Sequence, residues 1–165
     1  MTMLHTAIAK IAYTEEEALR ILRLMREYLE EYFFSKPDLS IPSFISSHAI
    51  SGRDKELLSS LGQIFFVNFT RNNFYELLKD LKGQIEKDPI VTVYVPIGMD
   101  QENTKKIALW FKDNLSPGAL MDLKIDDKLV GGISFVWKGV KHEYSFKMLF
   151  DKKKEEILDF LNEYK

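Results

Sequence analysis

Apolar positions in the first half of the chain recur at helical spacing. Ala18, Ile21, Leu22, Met25, Leu29, Tyr32 and Phe33 fall on one face, which predicts a helix from about Thr14 to Phe34. Thr14 followed by Glu17 has the spacing of a capping box. Glu16 with Arg20, and Arg26 with Glu30, sit four residues apart, where opposite charges pair on a helix surface. Pro37 stops the pattern. A shorter amphipathic segment, Leu4 to Ala12, precedes it. Residues 36–52 are rich in Ser and Pro and read as a connecting loop with one helical turn around Phe44. Leu57, Leu58, Leu61, Ile64, Phe65 and Val67 predict a further helix between Asp54 and Phe69. Asn72 and Asn73 mark a break and a new N-cap, after which Phe74, Leu77, Leu78, Leu81 and Ile85 form another stripe. Residues 1–88 therefore read as a small helical bundle.

After Pro89 the period changes from helical to two. Ile90 to Val95 is β-branched and aromatic, as a strand requires. Asp100 is placed to cap a helix lined by Thr104, Ile107, Ala108, Phe111 and Leu115, which Pro117 and Gly118 close. Leu120 to Ile125 reads as a strand. Leu129 to Trp137 alternates, with Leu129, Ile133, Phe135 and Trp137 on one face. Lys138-Gly139 suits a tight hairpin turn. Val140, His142, Tyr144 and Phe146 alternate again, and a last helix is predicted from about Phe150 to Tyr164 on Ile157, Leu158 and Leu161. The order β-α-β-β-β-α over residues 89–165 is that of a small domain, and the whole chain is α+β.

Composition narrows the function more than the fold. With 165 residues, 45% of them hydrophobic, the chain has enough apolar material for one or two packed cores. A net charge of −2 argues against a broad nucleic-acid surface. The absence of cysteine removes disulfides, thiolate catalysis and Cys-based zinc sites. No apolar run reaches the roughly 18 residues needed to span a bilayer, so no direct membrane insertion is expected. The first residues lack the basic and apolar regions of a signal peptide, so a soluble, cytoplasmic protein is expected. There is no internal repeat.

Candidate chemistry is sparse. Gly131-Gly132 lacks the Lys-Ser or following helix of a phosphate cradle and reads as a strand irregularity. Asp126-Asp127 lacks the spacing of a cation loop and reads as a turn. His5, His48 and His142 are scattered without a metal-binding or catalytic partner motif. Ser46-Ser47-His48 has no nucleophile elbow around it. Lys152 to Lys154 is offset by Glu155 and Glu156 and reads as a solvated face. Trp110 and Trp137 lie on apolar stripes and read as core, although either residue type is a frequent interface anchor. No catalytic residue, cofactor or metal is expected.

The second half resembles the C-terminal region of the F-type ATP synthase delta subunit, the oligomycin-sensitivity-conferring protein of mitochondria. The resemblance rests on Val91-Thr92-Val93-Tyr94-Val95-Pro96-Ile97, on the polar helix from Asp100 to Leu115, and on Ile125-Asp126-Asp127-Lys128-Leu129-Val130-Gly131-Gly132-Ile133. Gly139 fits the family's turn, and Glu143-Tyr144-Ser145 stands where the family has Asp-x-Ser. The helices between Leu57 and Ile85 fit the family's last N-terminal helices loosely, and the first helices match poorly.

The resemblance implies a non-catalytic peripheral-stalk (stator) subunit of a proton-translocating ATP synthase. Its implied partners are the N-terminal helix of an alpha subunit, bound by the helical half, and the C-terminal helices of a b-type stalk subunit, bound by the C-terminal half. Its implied location is cytoplasmic, peripheral to the membrane through the synthase complex. Candidate partner-binding residues under this reading are Ile11, Leu61 and Phe65 in the helical half and Leu129, Val130, Gly131, Gly132 and Ile133 in the corner. Two alternatives stand beside it. The E-type stator of V- or A-type ATPases would need a long uninterrupted helix, which Pro37, Pro42 and Gly52 break. A small α+β enzyme would need His142, Glu143 or Asp126 to converge in a pocket.

Overall fold

The computed structural model describes residues 2–163. Among these, the helices before Pro89 are α1 (Met3–Ile11), α2 (Glu15–Phe34), α3 (Ile41–Ser47), α4 (Gly52–Phe66) and α5 (Phe74–Ile85). After it come β1 (Ile90–Val95), α6 (Gln101–Asn114), β2 (Leu120–Ile125), β3 (Gly132–Trp137), β4 (Val140–Ser145) and α7 (Phe146–Glu163). The protein is α+β, with helices first and a four-stranded mixed sheet after them.

The Thr14 hydroxyl caps α2 by accepting from the Glu17 N–H at 3.1 Å. Glu17 departs from the ideal capping box, because its Oε2 accepts from the Tyr13 N–H at 2.8 Å while Arg53 holds the same carboxylate. The expected surface pairs form, Arg20 to Glu16 at 3.3 Å and Arg26 to Glu30 at 2.8 Å. The connecting stretch is more ordered than the Ser and Pro content suggests. Ser40 caps α3, and Leu39, Ile41, Phe44 and Ile45 are buried in the bundle. The helix expected through Phe69 stops at Phe66 and is broken at Gly62, whose φ of 66° and ψ of 168° are not helical. Asn73 precedes α5 but does not cap it with its side chain. It instead accepts from Thr70 N–H and donates to Asn68 O, closing the preceding turn.

The sheet runs β2-β1-β3-β4. β1 and β2 are parallel, which obliges the α6 crossover between them, and β3 is antiparallel to both β1 and β4. Lys138 and Gly139, both at positive φ (50° and 79°), form the two-residue turn between β3 and β4. β3 begins at Gly132 and not at Leu129. Residues 126–129 are held as a turn, with Leu129 N–H donating to Asp126 O and Lys128 N–H to Asp126 Oδ1. The last helix starts at Phe146, four residues earlier than expected, because the Ser145 hydroxyl accepts from the Met148 N–H and opens the helix directly from the strand. Tyr164, the expected end of that helix, lies outside the described residues, as do the side chains of Ile64, Ile157 and Leu161.

Two apolar cores result. One fills the bundle around Ile8, Ile21, Met25, Phe44, Leu57 and Phe74. The other lies between α6 and the sheet around Val91, Val93, Ala108, Phe111 and Phe135. Each core also takes a residue from the other half of the sequence. Leu120 of β2 is buried in the bundle core, and Tyr13 is buried in the sheet core. Beside them the Met121 N–H donates to Tyr13 O at 3.0 Å, and Thr14 makes a single parallel bridge to Met121 at the β2 edge. Among the described residues no helix is long and apolar enough to cross a membrane.

Candidate partner interface

Asp100 starts α6 by accepting from the Asn103 N–H at 2.8 Å. From that start the helix buries Ala108 and Phe111 on the sheet and turns Leu109 and Trp110 outward. α6 leaves part of β3 and β4 uncovered on the same face. The result is an open groove of about 250 Å³ lined by Ile107, Trp110, Phe111, Ile133, Phe135 and Tyr144. Every lining residue is apolar or aromatic. Phe135 organises the floor: Phe111 meets it edge-on at 4.9 Å, and the His142 and Tyr144 rings stack parallel to it at 4.8 and 6.0 Å. Trp110 is 48% exposed and Tyr144 56%, so large rings border the groove without being enclosed by it.

α7 adds further exposed apolar residues. Phe146, Leu149, Phe150, Leu158 and Phe160 all face solvent over about half their area or more. The helix meets the rest of the fold chiefly at β4. Single exposed apolar residues are ordinary, whereas several on one element make a candidate interaction surface. An apolar groove and an exposed apolar helix face are features of the kind that helix-in-groove recognition uses.

The Gly131-Gly132 corner sets the α7 exit. The Phe146 N–H donates to Gly131 O at 3.1 Å, and the Phe146 ring lies against Gly131, where a Cβ would meet it at 2.5 Å. Gly132 has φ of 83°, and a Cβ there would lie 2.1 Å from Tyr144 O. Gly132 is therefore demanded by close chain crossing, and Gly131 makes room for the Phe146 ring. Asp126 spends its Oδ1 on the adjacent turn. Among the described residues no group of three or more His, Asp or Glu is arranged to hold a metal ion.

His142 and Glu143 are neighbours on β4 and so point to opposite faces of the sheet. His142 stacks on Phe135, while Glu143 accepts from the Ser145 hydroxyl at 2.6 Å and pairs with Lys141 at 3.4 Å. The Ser145 hydrogen bond first, and Lys141 second, hold the Glu143 carboxyl below the usual carboxylate range.

The expected partner-binding residues are distributed between these features. Leu61 and Phe65 are buried in the bundle core, and Ile11 is partly buried against it. Gly131 and Gly132 form the corner, Leu129 is partly buried, and Val130 is 82% exposed at its tip. Ile133 lines the groove. The sequence reading missed Trp110, which is not core, and the exposed face of α7. Two bulky apolar residues in succession, Leu109-Trp110, beside a complete stripe at Ile107, Ala108 and Phe111 were the available signal. A second groove, about 490 Å³, lies on the bundle beside Tyr28, Tyr32, Phe33, Phe66 and Phe69. No protein-family model matches the chain, and a search of curated proteins finds no match.

Proposed function

We propose that this protein is a non-catalytic joint that grips helices of neighbouring subunits, and specifically a delta-type peripheral-stalk subunit of an F-type ATP synthase. The observation that carries the reading is the open apolar groove beside α6, together with the exposed apolar residues of α7. The helical half would receive the alpha N-terminal helix, and the C-terminal half the C-terminal helices of the b-type stalk. A joint that resists rotor torque needs packed apolar area and a fixed frame, and no reactive group. Each contact would bury about 800 Å² per partner.

Two details favour this reading over its alternatives. The longest helix among the described residues, α2, has 20 residues, which suits a compact joint and not the rod of an E-type stator. His142 and Glu143 lie on opposite sheet faces, which separates the acid and base an enzyme would need together. The test is calorimetric titration of the whole chain with a b-type C-terminal helical peptide and, separately, with an alpha N-terminal peptide. Binding of either at micromolar concentration supports the proposal, and heat-silent titrations with both would reject it.

A further inference from the structure

α1 connects the two halves through buried polar contacts that the partner interface does not use. At its start, His5 Nε2 and Asp88 Oδ2 are 2.8 Å apart, and both side chains are buried. Asp88 immediately precedes the Pro89 junction, so this pair ties the helix to the point where bundle becomes sheet. At its end, the Lys112 ammonium of α6 donates to Ala9 O and Ala12 O at 2.6 and 2.5 Å. Arg53 of α4 donates to Ile11 O at 2.7 Å from the other side. Cations thus satisfy the carbonyls that a helix leaves open at its C-terminus, where its dipole favours them.

We propose that α1 is a bolt that holds bundle and sheet as one stiff body, that Lys112 is its pin, and that closure tightens as pH rises. Lys112 is 8% exposed, and among the described residues no carboxylate pairs with it directly. The charged and titratable groups around it are Tyr13, whose ring lies 5.5 Å away, Glu17 of α2, Arg53 of α4 and Asp88 at the junction. Lys10 and Asp113 border the adjoining cleft. Burial, opposed in part by Glu17, lowers the Lys112 pKa from 10.5 to about 8. With the halves apart the amine is solvated and regains the ordinary value. Between these limits the closed form binds fewer protons than the open form, so closure strengthens with rising pH in that window. The neutral amine keeps two N–H donors for its two carbonyls. A stiff coupling would let load cross the protein without being lost in a hinge, and it holds whatever the α6–α7 surface binds.

The cysteine-free chain permits a selective test. Val67→Cys on the bundle and Val140→Cys on the β3–β4 hairpin, both exposed, accept a donor and an acceptor dye for single-molecule energy transfer. The expected result is one narrow distance population, with the minor open fraction falling by on the order of tenfold between pH 7.5 and 9.5. Lys112→Met should broaden the distribution and remove the pH dependence. Lys112→Arg, which keeps the charge and does not titrate there, should hold the wild type's low-pH open fraction at every pH. Circular dichroism confirms that each variant is folded. A broad wild-type distribution at every pH, or an unchanged profile in Lys112→Met, would overturn the proposal.

Discussion

Gly132→Ala tests the account of the corner most sharply. Gly132 holds a positive φ of 83°, and an added Cβ would fall 2.1 Å from Tyr144 O and 2.9 Å from Ser145 Cα. Both are backbone atoms of the paired strand, so no side chain can rotate away. A left-handed φ costs about 1–2 kcal/mol for a residue with a Cβ. Forcing β3 and β4 apart costs a further ~1–3 kcal/mol, the range for overpacked sites. The stiffer unfolded chain returns about 0.4–1 kcal/mol. The net expectation is a loss of roughly 2–4 kcal/mol, read as a lower midpoint in urea with unchanged slope. Gly139→Ala is the control, because its φ is equally positive (79°) and a Cβ there meets nothing within 4 Å. It should lose only about 1 kcal/mol. Equal losses in the two variants would show that the chain crossing at Gly132 is not the tight contact described.

The two faces of α6 should separate by stability. Phe111→Ala empties a fully buried site and should cost about 3–5 kcal/mol, whereas Trp110→Ala should change thermal unfolding little and weaken helix binding; equal destabilisation by both would contradict the groove geometry. Asp88→Asn removes a buried charge from His5 and should cost about 1.5–3 kcal/mol in denaturant titration, the range for a hydrogen bond to a charged group. A double cycle with His5→Ala should then show most of that loss as shared, and strict additivity would mean that the two side chains do not interact.

Much of the fold was legible because local chemistry and burial agreed. Thr14 and Glu17 marked the start of α2, Asp100 marked α6, β-branched and aromatic content marked β1, and alternation marked β3 and β4. The misreadings came where one residue had two competing uses. Ser145 continues the β4 alternation, yet its hydroxyl also opens α7, and nothing local decides which use ends the strand. Gly62 sits inside the helical spacing of Leu57, Leu58, Leu61 and Phe65, so periodicity carried the predicted helix across a residue whose backbone is not helical. Burial itself was harder to read than period. Leu61 and Trp110 both lie on helical stretches rich in apolar residues, but one is buried and the other half exposed, because exposure depends on how far the neighbouring layer extends. The ties through Tyr13, Leu120 and Lys112 are long-range and left no mark in local pattern. A lysine among helix positions such as Lys112 reads as a solvent-facing charge until the α1 carbonyls are in place.

The claim that the α6 groove and α7 grip a helix can be read from one ring. Trp137→Phe leaves Trp110, at the groove rim, as the sole tryptophan. Titrating this variant with a b-type stalk peptide should shift the emission to shorter wavelength and saturate at micromolar peptide, as the indole leaves water. Emission that stays constant through saturating concentrations of a peptide shown to be helical would contradict the account.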